Sequence, residues 1–390
     1  MKKSFLLLVS FVICLSFQSC TDTKDSEVFH YSSGEIDLLR QTLNLPDETH
    51  DYTLVTNRPV PGFNPDDPFH KATLGRVLFY DKGLSIDGSK SCGSCHLQAA
   101  AFADNEKFSE GLDGQVGTRN SLPLGNTIGF VRYYGTDLNI QAGFFSWDEK
   151  FESIDDQSKA AITSSVEMGH SMWELASQIK ADEKYQILFD KAYGGYNPIT
   201  EANILDAITE FVNSFSSRAS KFDNSIPTPP NTFQTADVFA DFEAFSSSEN
   251  RGKKLFNNNC SNCHGSSHNA IVLSSANNGL DMTYADNGRG DHENAQYLNG
   301  VFKVPSLRNI ELTGPYMHDG RFSSLEEVVD HYSEGVQNHE NLSQFLKDNA
   351  TQQAMKMNFS TTDKEDLVNY LKTLTDTEFV TAEKWSDPFK

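Results

Sequence analysis

The chain has 390 residues, enough for two or three domains. Acidic residues outnumber basic ones, 54 to 32, and the resulting net charge of −22 excludes the phosphate-neutralising surface of a sequence-independent nucleic-acid binder. With 38% hydrophobic residues and 28 Phe the chain is able to bury a core, and after the first twenty residues no apolar run is long enough to cross a bilayer.

In chain order, Lys2 and Lys3 precede an apolar stretch from Phe5 to Phe17, too short to span a membrane, which Ser19-Cys20 closes ahead of a polar run. Residues 1–19 read as an export signal. The small residue before Cys20 resembles a bacterial lipoprotein processing site, which implies Cys20 as the lipidated mature N-terminus. The protein would then be anchored to a bacterial membrane through that lipid alone, in the periplasm or at the cell surface. An ordinary signal peptide cut nearby is the plainer alternative. Residues 20–45 are polar and are expected to form a flexible tether.

Helical spacing of apolar residues predicts a helix from Phe69 to Tyr80. It leads to Cys92-Gly93-Ser94-Cys95-His96, and the same pattern returns as Cys260-Ser261-Asn262-Cys263-His264. Both are C-x-x-C-H, the attachment pattern of c-type haem. Two thiols one helical turn apart reach the two vinyl groups on one edge of the porphyrin, and the adjacent His becomes the proximal iron ligand. Zinc would need ligands converging on one ion, yet these motifs stand far apart, each with its own His. A dithiol redox pair explains neither His. Two covalently bound haems are therefore expected, with His96 on one iron and His264 on the other. Pro227, Pro229 and Pro230 mark a linker over 224–240, between a first haem domain at 46–223 and a second at 241–380. Ser323-Ser324-Leu325-Glu326 and Thr362-Asp363-Lys364-Glu365 each open a further helix. Strand alternation is scarce. The expected fold is mainly α, two cytochrome-c-like haem domains with long loops.

The run Leu74-Gly75-Arg76-Val77-Leu78-Phe79-Tyr80-Asp81, with Leu84-Ser85 and the first haem motif, resembles the N-terminal haem segment of bacterial di-haem cytochrome c peroxidases. Pro305-Ser306-Leu307-Arg308-Asn309 and Pro315-Tyr316-Met317-His318-Asp319-Gly320 resemble the C-terminal half of the same family, which includes a MauG-like subgroup. The resemblance implies a peroxide-binding haem held by His96 and an electron-entry haem held by His264. It also implies a catalytic pair on the peroxide side, which the register assigns to Gln157 and Glu167. Heterolysis of the O–O bond needs a base that takes and returns a proton, and a carboxylate in an apolar cavity has its pKa raised toward that task. Glu167 is expected in that role, with Gln157 positioning peroxide or water. Trp147 falls where the family has a tryptophan between the haems, as a relay or simply as a core aromatic. Asn120, Thr313 and Pro315 match an inter-domain calcium site of oxygen ligands. Arg308 is expected to pair with a haem propionate.

Two departures from the pattern matter. Where many members carry a distal His on the peroxidatic iron, this chain has Leu112, which implies an open iron in the oxidised state. Where the usual distal Met of the second haem falls, it has Tyr332, which favours ferric iron. Both point toward the MauG-like subgroup. The leading expectation is a peroxidase that reduces hydrogen peroxide to water with electrons from a donor protein, a cytochrome c or cupredoxin docking near the C-terminal haem. A MauG-like oxidase using high-valent iron on a protein or small molecule is the alternative, as are a non-catalytic electron carrier and a haem-based sensor. The acidic charge implies a basic face on the donor, and a homodimer is possible on family grounds.

Overall fold

The computed structural model describes residues 31–45, 50–52, 69–127, 132–133, 140–141, 144–227, 237–266 and 273–390. The export segment, Cys20 and the core of the expected linker, 228–236, lie outside the described residues. Residues 31–390 form one compact unit. The fold is mainly helical, as expected.

One correction comes early. Residues 31–45, expected as tether, are built into the fold. Helix α1 (Ser33–Leu39) starts at a capping box in which Ser32 and Glu35 satisfy each other's backbone N–H. Leu39 and Leu43 are fully buried, and Leu43 bridges Phe389.

The first half packs α2 (His70–Tyr80) against α7 (Glu201–Asn213), with α4 (Ile154–Thr163), α5 (Met172–Lys180) and α6 (Glu183–Tyr193) around them. Gly75 sits where α2 and α7 cross, and a Cβ there would lie 1.9 Å from the Ala207 carbonyl oxygen. The bare backbone is what lets these helices touch. Phe79, Phe102, Phe211 and Phe215 fill the centre, with Phe102 and Phe215 stacked at 3.9 Å. Phe379 and Trp385, from far along the chain, complete this core.

The second half repeats the arrangement. Here α9 (Ser247–Asn259) packs against α13 (Thr361–Lys372), and a Cβ on Gly252 would lie 1.9 Å from the Asp366 carbonyl oxygen. Phe222, Phe242, Phe256 and Tyr370 fill its core. Helix α12 (Leu325–Asp330) is capped by Ser324 with Glu327, one residue later than the sequence pattern suggests. It runs into a π-helical turn, His331–Gly335. Helix α13 is capped by Ser360 with Asp363 rather than from Thr362. Short α3 (Cys92–Cys95), α8 (Lys221–Ser225), α10 (Ser261–His264) and α11 (Arg289–Glu293) complete the helices used below. The strands are pairs of two residues: β1 (Arg132–Tyr133) with β2 (Ile140–Gln141), and β3 (Ser275–Ala276) with β4 (Phe302–Lys303).

Candidate functional site

At the first motif, Ser91 and Ser94 form a capping box that opens α3, and the His96 N–H closes it on the Cys92 carbonyl at 2.9 Å. This single turn puts both thiols and the imidazole on one short segment. His96 Nδ1 lies 2.9 Å from the Phe102 carbonyl, which only accepts, so Nδ1 carries the proton and Nε2 keeps its lone pair. Ala101 and Phe102, both in the left-handed region at φ 54° and 61°, turn that carbonyl back toward the ring. Burial lowers the pKa of His96, keeping it neutral as an iron ligand must be, and raises that of Cys92 to about 12.

The second motif has the same logic. Cys260 caps α10, and His264 Nδ1 lies 3.1 Å from the Pro305 carbonyl. Burial lowers the His264 pKa to about 4 and raises that of Cys260 to about 12. Around these residues lies an apolar cavity with about 1550 Å³ of empty space, its open mouth included. Cys260, Cys263, His264, Tyr332, Met317 and Leu371 are in its wall. At both motifs the donor set fits a c-type haem: two thiols, and an imidazole whose Nδ1 is fixed by a carbonyl while Nε2 stays available.

Beside the first motif, the turn after α4 is stitched to two neighbouring segments. The Leu112 N–H donates to the Val166 carbonyl at 2.9 Å, and the Ile86 N–H to the Met168 carbonyl at 2.9 Å. Gly111 is needed there, because a Cβ would lie 1.8 Å from the Val166 oxygen. Leu112 and Glu167 are thereby neighbours. Glu167 reaches solvent, yet enough protein surrounds its carboxyl for burial to raise its pKa, and its charge is felt at Cys92 and Cys95. Gln157, on α4, has a buried Oε1 with no hydrogen-bond partner. A buried acceptor left open is unusual and suits a small ligand or water.

Trp147 makes contacts to both halves. Its Nε1–H donates to the Asn120 carbonyl at 2.8 Å, its carbonyl accepts from the Lys303 N–H at 2.8 Å, and its ring lines the second cavity. Asn120 and Ser121 connect the first motif to the wall of the cavity at the second. The Asn120 N–H donates to the His318 carbonyl at 2.7 Å, while Ser121 Oγ lies 3.2 Å from the Cys95 carbonyl and 3.3 Å from His96 Nδ1.

Other expected residues fall as follows. Tyr332 is in the wall of the second cavity, and burial, with Asn278 pulling the other way, raises its pKa to about 12. His331, on the same turn, looks elsewhere: its Nε2 bonds the Asn278 carbonyl at 3.1 Å. His318 stacks on Phe302 at 3.8 Å within the cavity wall. Asn120, Thr313 and Pro315 share that wall, and the Asn120 amide N–H groups point to the carbonyls of Glu106 and Lys107, which leaves Oδ1 as an oxygen donor. Among the described residues no cluster of three or more His, Cys, Asp or Glu side chains is arranged for a metal ion. Arg308, expected at a haem propionate, is buried and forks onto Asp223, Nη1 and Nη2 meeting the two carboxylate oxygens at 2.7 and 2.8 Å. Its fixed fork is matched by a carboxylate of α8, an element the sequence reading had left as the edge of a linker. That reading also passed over Arg119, Ser121 and Asn278. Nothing in their local pattern marks them, since their partners are far away in the chain.

Comparison with known proteins agrees with this geometry. Residues 69–228 match the family model for di-haem cytochrome c peroxidase and residues 249–375 that for cytochrome c. The methylamine utilization protein MauG of Methylorubrum extorquens is 32% identical over 327 residues, covering 81% of each chain. The cytochrome c551 peroxidase of Nitrosomonas europaea is 31% identical, covering 66% of this chain and 71% of its own. The crystal structure of a MauG-like protein associated with microbial copper homeostasis superposes with a TM-score of 0.70 at 29% identity, covering 87% of this chain and 99% of that one.

Proposed function

Because the chain belongs to the bacterial di-haem cytochrome c peroxidase family, with c-type haem as its cofactor and a peroxidase-type oxidoreductase function, we propose that it reduces hydrogen peroxide to water. The electrons come from an external donor protein and enter at the C-terminal haem. When bound, the haems supply an iron that takes the peroxide and a route for those electrons. Cys92, Cys95 and His96 would hold the first, and Cys260, Cys263 and His264 the second.

The observation that carries this reading is the Leu112–Val166 backbone bond, which sets an apolar side chain and a carboxyl of raised pKa side by side. Leu112 offers no ligand atom, so its side chain would not compete with peroxide for an iron held by His96. Glu167 takes the proton from the near oxygen of the peroxide and returns it to the leaving one. Gln157 Oε1 accepts a hydrogen bond from the peroxide or from water and fixes its orientation. Low-temperature EPR of the oxidised, haem-loaded protein tests this. A high-spin signal that reacts with peroxide at once is expected, and two low-spin haems inert until one is reduced would overturn it.

A second reading, a MauG-like oxidase acting on a protein or small molecule, draws support from Tyr332 in the cavity wall with His264. A low-spin signal altered by Tyr332→Met supports Tyr332 as the second iron's other ligand, and an unaltered one removes it. We also propose one calcium ion at Asn120, Thr313 and Pro315. Chelation with EGTA is expected to release a stoichiometric ion and disturb the Trp147 environment. Export and anchoring through Cys20 rest on the sequence alone, and a mass spectrum of the mature protein decides them.

A further inference from the structure

We infer that Arg119 is a positioning residue for electron passage between the two haem sites, holding the Trp147 bridge in register across the two halves. The inference rests on the di-haem reading above, and adds to it a residue that the haem motifs do not mark.

Three acidic side chains and one backbone segment converge here. Arg119 Nε and Nη2 fork onto Asp286, in the second half, at 2.7 and 2.9 Å, while Nη1 reaches Asp148 at 2.7 Å. Asp148 follows Trp147 directly, and it also accepts from the Ser146 hydroxyl at 2.5 Å and the Lys150 N–H at 3.3 Å. The loop carrying Trp147 is strained on both sides, with Ser146 at φ 66° and Glu149 at φ 54°. Left-handed backbone at two non-glycine residues persists only where surrounding contacts fix it. Glu149, itself buried, is held by Arg289 at 3.0 Å, again a residue of the second half. Trp147 is therefore followed by two carboxylates, each anchored to the other half through an arginine.

The residues after Arg119 make the connection. Ser121 Oγ is 3.3 Å from His96 Nδ1, the Asn120 carbonyl accepts from the Trp147 indole at 2.8 Å, and the Asn120 N–H binds the His318 carbonyl. Two consecutive residues thus touch the first proximal His, the indole and the wall of the second cavity. The Arg119 guanidinium also lies 6.0 Å from the Phe302 ring, which stacks on His318. An electron leaving the second site for the first makes and breaks no bond, so at fixed haem potentials and reorganisation energy its rate follows the geometry of the path between them. Arg119, which directly precedes Asn120, thus ties the residue after the indole to the opposite half.

The test uses the haem-loaded protein. The second haem is reduced rapidly, and the transfer of that electron to the first haem is followed optically, in the parent and in Arg119→Gln, Arg119→Lys, Asp286→Asn and Trp147→Phe. EPR signatures, reduction potentials and thermal unfolding are recorded for each. Arg119→Gln is expected to slow the transfer about ten-fold or more, since displacements near 1 Å are costly for aligned groups. The EPR signals and potentials of both haems should stay in place. Arg119→Lys, which keeps the charge and loses the fork, should recover only part of the rate, and Asp286→Asn should slow it less than Arg119→Gln. If Trp147→Phe slows the transfer and neither Arg119→Gln nor Asp286→Asn does, this inference is overturned while the bridge stands. If Trp147→Phe leaves the rate unchanged, the relay itself fails. Should Arg119→Gln not fold, Asp286→Asn, which leaves the Asp148 contact in place, carries the decision.

Discussion

Gly75-Arg76-Val77-Leu78-Phe79 in the first half has a counterpart in Gly252-Lys253-Lys254-Leu255-Phe256 in the second. Each glycine lets its helix touch a backbone carbonyl, and each phenylalanine is fully buried in its own core. The cation between them is buried in both, Arg76 donating to the Ser386 carbonyl at 2.7 Å and Lys253 to those of Val238 and Ala240. In each half, the imidazole of the haem motif is then fixed by a backbone carbonyl. The halves part company on the far side of that imidazole. For the first the proposed residues there are Leu112, Gln157 and Glu167, whereas the second has a largely apolar cavity wall that includes Tyr332 and Met317. A shared helical crossing would thus serve two chemistries, setting the proximal side and leaving the other side to elements outside the crossing.

The sharpest way to break that contrast is Leu112→His, which places an imidazole where the first half has none. Prompt reaction of the oxidised protein with peroxide should disappear until the second haem is reduced. A stopped-flow trace as fast as the parent's would show that this position does not face the iron. Glu167→Gln comes next, with an expected loss of about 100-fold or more in kcat, the usual scale of general acid–base assistance. Burial raises the Glu167 pKa, and the base works as carboxylate, so kcat/KM in the parent should rise with pH through a value above the ordinary Glu range. Glu167→Gln should abolish that limb.

Gly75→Ala and Gly252→Ala probe what the halves share. Each is expected to destabilise by about 2 kcal/mol or more, overpacking outweighing the gain in helix propensity. Gly75→Ala should disturb the His96 signature and Gly252→Ala that of His264, read by thermal unfolding and EPR. The smallest effect is expected at Asp223. Burial opposes its ionisation, but the Arg308 fork and the Ser220 bonds outweigh it and lower its pKa. Its stabilisation is therefore present above the ordinary Asp pKa and lost as pH falls toward the lowered one. Asp223→Asn should cost about 1–3 kcal/mol near neutrality and flatten the acid limb of a stability–pH curve.

Much of this was legible because haem chemistry is local. C-x-x-C-H encodes thiols and imidazole within one turn, and the helix beginning near Phe69 follows from spacing alone. The capping boxes lie one or two residues from where the pattern suggests: Ser323 and Ser324 each have a Glu three residues on, Glu326 and Glu327, and the helix uses the second pair. The Arg308–Asp223 pair was out of reach, since a side chain's partner in another element leaves no periodic trace. The recurrence of Gly-Arg/Lys-x-Leu-Phe was in plain sight and was passed over. Its meaning lies in the helix each glycine touches, and that helix is more than a hundred residues away.

Residues 379–389 lie against the first half, not the second. The Tyr80 hydroxyl donates to the Trp385 carbonyl at 2.7 Å, the Trp385 indole to Ser214 at 3.1 Å, and the Gln98 amide to the Ala382 carbonyl at 2.9 Å. Synthesis runs in the opposite order, so the half that is made first is completed last. Until residues 379–386 have emerged, Phe102 and Phe215 lack the rings of Phe379 and Trp385, and Arg76 lacks its acceptor, Ser386. The core of the first half therefore still lacks its last segment when the second motif is made, whereas the helix pair of the second half is complete once α13 is made. Time, as much as geometry, separates the two sites.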